Sequence, residues 1–168
     1  MSRTLHIMRH AKSDWSTGEP DHERPLNGRG RKDALAAGRY LASFGRSIDR
    51  VLSSSSTRTR ETWARVEQEG VSANSIEFLD AIYEASTASA LRLLREVPND
   101  AQSVLWLGHF PTVEDLVFTL GQPDDNPAWQ RISEKYPTSA IATLEFDGEW
   151  SILARESCQL IDFVIPRG

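Results

Sequence analysis

The chain has 168 residues, 39% hydrophobic and 26% charged, which suits one domain with its own core, read here as spanning residues 1–168. Lys and Arg number 19 against 24 Asp and Glu, a formal charge of −5, and that balance argues against broad binding to nucleic acid or an anionic membrane. The single cysteine, Cys158, excludes an intramolecular disulfide framework or a multi-thiolate metal site and fits a reducing compartment. It has Val164 rather than an arginine six positions on, so it lacks the partner of a phosphate-cleaving thiol. Residues 1–10 become charged too soon for a signal peptide, and no apolar run approaches the ~20 residues of a membrane span. A cytoplasmic protein is expected.

Leu5 to Met8 is a short apolar run that stops at Arg9-His10, the pattern of a buried parallel strand delivering functional side chains at its carboxyl end. Residues 11–27, with Gly18, Pro20 and Pro25, hold no sustained period and predict a long irregular loop over the strand ends. Asn27-Gly28 opens a helix whose apolar positions Ala34, Leu35, Gly38 and Leu41 recur until Gly45. Asp49 to Ser53 predicts a second strand, and Ser53 to Thr57 supplies cap chemistry for a helix to about Glu69. A strand near Ile76 to Leu79 follows. A helix capped by Ser86 or Thr87 then carries an apolar stripe of Leu91, Leu94 and Val97 before Pro98. Ser103 to Leu107 reads as a buried strand ending in Gly108-His109, with Pro111 and Thr112 opening another helix.

Gly121 to Pro127 reads as a loop. Asp147-Gly148 lies between two β-rich runs, Ile141 to Phe146 and Glu149 to Leu153, which predicts a terminal hairpin between those runs. The whole pattern implies a three-layer α/β/α sandwich, with a mostly parallel sheet, helices on both faces and an antiparallel hairpin at the C-terminus.

Gly28-Arg29-Gly30-Arg31-Lys32-Asp33 begins like a dinucleotide fingerprint, but Asp33 holds the third glycine's place and no strand precedes it. The basic residues Arg29, Arg31 and Lys32 read as a solvated helix start, with RNA binding as the competing reading. Trp63, Trp106 and Trp150 fall in regular segments and read as core, whereas Trp15, Phe110, Trp129 and Tyr136 fall where they could wall a crevice. His10 and His109 each end a strand, and the carboxyl ends of parallel strands share the edge at which ligands of such folds bind. Either histidine alone is an ordinary hydrogen-bonded structural residue. Together with Arg9 and Arg58, whose helix starts at the same edge, they make a site suited to a compact dianion such as a phosphoryl group.

These residues also carry a resemblance. Arg9-His10-Ala11-Lys12-Ser13-Asp14-Trp15, Glu23 to Gly30, the Arg58-Thr59-Arg60-Glu61-Thr62 core and Leu107 to Pro111 resemble, in order, the motif blocks of the histidine phosphatase superfamily, which also contains cofactor-dependent phosphoglycerate mutases. The length, Arg24-Pro25-Leu26, Ile82 to Ser86 and the final hairpin are similar to its SixA-like phosphohistidine phosphatase branch. The resemblance covers nearly the whole chain. It implies that His10 is a transiently phosphorylated nucleophile and that Arg9, Arg58 and His109 hold the equatorial phosphoryl oxygens. The superfamily spacing of Arg to Thr matches Arg58 with Thr62 and leaves Arg60 at the surface. Arg24 is a candidate for the phosphate shell, with a loop ion pair as its alternative. Ser16 stands where mutase-like members often carry a phosphate-contacting Asn.

Glu84 and Asp80 are the nearest matches to the superfamily's general acid, with solvated or capping roles as alternatives. A physical argument makes the acid dispensable: an alkyl phosphate expels a poor alkoxide, whereas a protonated phosphohistidine expels neutral imidazole. The expectation is a metal-independent, cofactor-free phosphatase with a phosphohistidine protein or a small phosphorylated molecule as substrate. A noncatalytic phosphoryl-binding domain and a mutase-like phosphoryl transferase are the alternatives. No nucleic-acid or membrane partner is expected.

Overall fold

The computed structural model describes residues 2–167. One six-stranded sheet runs through them in the order β3-β2-β4-β1-β5-β6, formed by β1 (Ser2–Arg9), β2 (Ile48–Ser54), β3 (Ala73–Leu79), β4 (Ser103–Gly108), β5 (Ile141–Asp147) and β6 (Gln159–Val164). β1, β2, β3 and β4 pair in parallel, and β5 runs antiparallel to both β1 and β6. The helices are α1 (Gly28–Ala42), α2 (Thr57–Gln68), α3 (Asp80–Tyr83), α4 (Thr87–Arg95), α5 (Thr112–Leu120) and α6 (Ala128–Glu134). No helix among the described residues is long and apolar enough to cross a membrane.

The period of two along the central strands builds the layers. Leu105 and Leu107 of β4, with Met8 and Val51, pack with Ala37 and Leu41 of α1 and Trp63 and Val66 of α2. The alternate residues Val104 and Trp106, with Leu5 and Ile7, pack with Leu94 of α4, Val113, Leu116 and Val117 of α5 and Ile132 of α6. Each side of the sheet is therefore covered by helices, as the uninterrupted apolar strands imply. Asn27 Oδ1 accepts from Gly30 N at 2.8 Å to cap α1, and Ser56 and Ser86 cap α2 and α4 in the same way. Such a cap contributes about 1 kcal/mol.

The C-terminal hairpin is present with a different second arm. β5 pairs with β6, not with the run from Glu149 to Leu153. That run instead holds a 3₁₀ turn, Trp150–Ile152, because its aromatic residue belongs to the core. Trp150 is fully buried, meets Phe146 edge-on at 4.9 Å and donates its indole N–H to Ala101 O at 2.8 Å. Gly148, at φ +106°, starts the departure, and its carbonyl accepts from Arg3 Nη1. The β propensity of the run yields to the gain from burying an indole. α6, in a stretch that the sequence reading leaves without an element, completes one helical layer through Ile132.

Two helices brace the chain that leaves β1. Ala11 N donates to Thr62 Oγ1 of α2 at 3.0 Å, and Asn27 N donates to Lys12 O at 3.0 Å beside the start of α1. Gly30 lies so close to that loop that a Cβ there would stand 2.0 Å from Lys12 O. Gly30→Ala is expected to destabilise the protein by about 1–3 kcal/mol, the usual cost of overpacking. Urea unfolding measures it, and an unchanged midpoint would show that the loop yields freely.

Candidate active site

The strand order places β4 between β2 and β1. Their carboxyl ends are consequently neighbours, and the loops that leave them converge on a crevice of about 440 Å³ lined by Arg9, His10, Arg24, Arg58, Glu84 and His109, among others. A smaller hollow, of about 210 Å³, lies beside Arg29, Asp33 and Arg167; it lacks both strand-end histidines, so the chemistry points to the larger one.

His10 is buried, and its backbone is fixed on two sides: its N–H donates to Gly108 O at 3.1 Å, and its carbonyl accepts from Ser139 N at 3.0 Å. Its Nδ1 lies 2.7 Å from Ala11 O. A carbonyl can only accept, so Nδ1 carries the proton and Nε2 carries the lone pair. Burial pushes the His10 pKa well below its usual value; the bond to Ala11 opposes this, and the charges of His109, Arg58 and Arg9 add to it. The ring is neutral at physiological pH and its tautomer is set.

His109 stands 5.2 Å from His10, centroid to centroid. Arg58 Nη2 can only donate and lies 3.4 Å from His109 Nδ1, so Nε2–H donates to Ser54 Oγ at 2.8 Å. Burial first and Arg58 second lower the His109 pKa to about 4. Arg58 is buried on the inner side of α2, and its carbonyl accepts from the same Thr62 hydroxyl that holds Ala11. The Arg58–Thr62 spacing thus ties the guanidinium-bearing helix to the loop beyond His10. Arg60 is outside the crevice, stacked 4.4 Å from the Phe78 ring with Nε on Ser55 O.

Arg9 donates from Nη1 to Tyr136 O at 2.8 Å and lies 5.2 Å from the Phe110 ring centroid. Arg9 Nε and Arg58 Nε are both buried without a hydrogen-bond partner. An unmet buried donor costs about 1–3 kcal/mol, and two of them occur on the guanidinium groups that line this crevice.

Arg24 unites its two proposed surroundings. It is buried beside the crevice and also makes the loop ion pair, with Nη2 3.1 Å from Asp21 Oδ1. It further donates to Ser13 Oγ at 2.6 Å and carries the Trp15 ring at 3.5 Å. Ser16 is not brought to the crevice: it is exposed, and its hydroxyl donates to Asp14 Oδ1 at 2.6 Å, closing a local turn. Ser13, which pairs with Leu26 across the loop, lines the crevice instead.

Glu84 lines the crevice, whereas Asp80 is outside it and accepts from Ser55 Oγ at 2.5 Å. Trp15 and Phe110 form exposed walls. Tyr136 is buried with its hydroxyl on Ile7 O, and Trp129 packs beside Phe118 and Gly121, so neither walls it. Burial pushes the Cys158 thiol up to about 11, which leaves it a poor thiolate.

The sequence reading missed Asp21 and Tyr83. Asp21 Oδ2 accepts from Tyr83 at 2.5 Å and from Arg58 at 3.1 Å, and these bonds, led by Tyr83, lower its pKa to about 2 despite partial desolvation. The signal available was Asp21 three residues before Arg24, but nothing in an aperiodic loop tells which carboxylate turns inward.

An imidazole whose Nδ1 is committed to a carbonyl, among guanidinium groups at the carboxyl edge of a parallel sheet, is chemically suited to receive a tetrahedral oxyanion. The family model described as histidine phosphatase superfamily (branch 1) matches residues 5–97. An uncharacterized protein from Mycobacterium leprae (strain TN) is 35% identical over 165 residues, 95% of this chain and 100% of that one. The chain belongs to the histidine phosphatase superfamily. Within it the likeness is to the SixA branch. A SixA protein from Nakamurella multipartitia superposes with a TM-score of 0.85 at 29% identity, covering 98% of this chain and 96% of that one. The structure of the protein histidine phosphatase SixA complexed with tungstate gives 0.78 at 25% identity, covering 98% and 97%.

The buried histidines make acid a destabilising condition. His109, at about 4, is neutral in the fold where the unfolded chain, at the ordinary 6.5, is protonated. The unfolded state then binds more protons, so stability present above pH 6.5 is lost as pH falls towards 4. Arg58→Ala is expected to raise the His109 midpoint in an NMR titration from about 4. An unmoved midpoint would show that the Arg58 charge is not among its causes.

Proposed function

We propose that this chain is a metal-independent phosphatase that hydrolyses its substrate through a phosphohistidine on His10. The observation that carries the reading is the His10 ring itself, whose Nδ1–H is committed to Ala11 O while Nε2 remains nucleophilic beside Arg9, Arg58 and His109. The Nε2 lone pair forms the N–P bond as the bond to the leaving group breaks, and the guanidinium groups with His109 take up charge on the equatorial oxygens. With Nδ1 still protonated, the phosphorylated ring is a cation, stabilised by the Ala11 carbonyl. Water then attacks phosphorus, neutral imidazole departs, and both protons of the water leave with dihydrogen phosphate. Neither step requires a base for Nδ1, and the arginines supply positive charge that a divalent cation supplies in other phosphotransferases.

The substrate reading follows from the leaving group. Asp21, ionised at neutral pH, is a poor proton donor, which leaves Glu84 as the carboxyl group available to protonate an alkoxide. Phosphohistidine needs no such donor. The phosphohistidine phosphatase name of the SixA relatives and the tungstate complex of one of them, tungstate being a tetrahedral oxyanion like phosphate, support a phosphohistidine protein as substrate.

His10→Ala is expected to fold and to lose hydrolysis of a small phosphoramidate by several orders of magnitude, together with any acid-labile label from phosphorylated substrate. Full turnover by the folded variant, or turnover abolished by chelator in the wild type, would defeat the mechanism. A stable label without turnover would favour a phosphoryl-binding domain. Glu84→Gln is expected to leave phosphoramidate hydrolysis within about twofold and to lower ester hydrolysis by about 100-fold, within the range of general acid catalysis; equal losses on both substrates would remove Glu84 from the acid role.

A further inference from the structure

Asp21 sits between the two arginines of the crevice that come from outside β1. Its backbone oxygen accepts from Arg58 Nη1 at 2.8 Å and its Oδ2 from Arg58 Nη2 at 3.1 Å, so one residue grips both terminal nitrogens of that guanidinium. Its Oδ1 accepts from Arg24 Nε at 3.1 Å and forms an ion pair with Arg24 Nη2 at the same distance. Tyr83 donates to Oδ2 and stands edge-on to His109, with ring centroids 5.5 Å apart. The Arg24 and Arg58 side chains are almost wholly buried, while that of Asp21 is 50% exposed.

Two consequences follow from that placement. Arginine side chains have many rotamers, and two guanidinium groups facing one crevice repel each other; a carboxylate shared between them removes both difficulties before substrate arrives. The same carboxylate is a like charge to any phosphate dianion beside those arginines, and at such separations a unit charge at the rim changes anion affinity measurably.

We propose that Asp21 is a positioning residue: seated between Arg24 and Arg58, its carboxylate presets both guanidinium groups for the transferring phosphoryl group and, as a like charge, keeps free phosphate from lodging in the crevice. Only the turnover part rests on the phosphatase reading.

The experiment compares wild type, Asp21→Asn and Tyr83→Phe in two measurements: phosphoramidate hydrolysis with added inorganic phosphate, and calorimetric titration with inorganic phosphate alone. Asp21→Asn is expected to lower kcat by about tenfold, since donors aimed at developing charge are disordered. It is expected to bind phosphate about threefold or more tighter, because a repelling charge is gone. Loosening of the crevice alone would move phosphate affinity the other way. Tyr83→Phe keeps the charge and removes one of its anchors, so kcat falls by a smaller factor and phosphate affinity stays within about twofold. Unchanged kcat, or unchanged or weaker phosphate binding, in folded Asp21→Asn would overturn the proposal. Should Asp21→Asn fail to fold, wild-type kcat in Tyr83→Phe would overturn it and the smaller loss would support it. If the wild type shows no turnover, the phosphatase reading fails, and the phosphate titration still decides the role of Asp21's charge.

Discussion

The hydrogen bond from His10 Nδ1 to the Ala11 carbonyl is the contact on which the rest of the crevice depends. A buried imidazole among guanidinium groups could turn either nitrogen towards them, and this contact leaves the lone pair on Nε2. The acceptor is main chain, so it cannot titrate, and its own position is secured by the neighbouring Ala11 N–H on Thr62. The surrounding positive charges then act in one direction. They keep the ring unprotonated, and they add to the burial that already favours the neutral form. Arg58 sets the tautomer of His109 from the other side: a guanidinium can only donate, so Nδ1 accepts from it and Nε2–H is left to donate to Ser54 Oγ.

Much of this arrangement was legible in the sequence because it follows from the ends of strands. The apolar run of β1 stops at Arg9-His10 and that of β4 stops at Gly108-His109, and parallel pairing of these strands puts both stops at one edge. Arg58 was placed by the Ser-rich cap that begins α2. Burial of alternate residues on both faces of the strands made the layers readable as well. The loop between β1 and α1 was opaque, because its residues are positioned by polar contacts from distant segments. Asp21 meets Arg58 and Tyr83, which lie 37 and 62 residues away, and no local period encodes that. Ser16 stays out of the crevice, where Asp14, two residues away, accepts from its hydroxyl. The misplaced hairpin arm has the same origin: Asp147-Gly148 encodes a change of direction, but the core behind Ala101, not the turn, decides where the next residues go.

The charge of −5 describes the exterior and not the crevice. Arg9, Arg24 and Arg58 converge there with two uncharged imidazoles. Asp21 answers two of the three arginines directly. A single tetrahedral anion in the recess meets those guanidinium groups rather than the net charge of the chain. This separation of scales explains how a protein with an excess of carboxylates can gather three guanidinium groups in one recess.

The position of β4 between β1 and β2 also bears on the history of the chain during its synthesis. These two strands, with His10 and Arg58 just beyond them, are made first but are not neighbours; each presents to β4 an edge that stays unpaired until residues 103–108 arrive. The last of those six residues precedes His109 directly. Joining of β1 to β2 through β4 therefore coincides with the arrival of His109, and Tyr136 and Ser139, which hold Arg9 and His10, follow later. A chain stopped short of it holds the imidazole of His10 without Gly108, whose carbonyl secures its backbone.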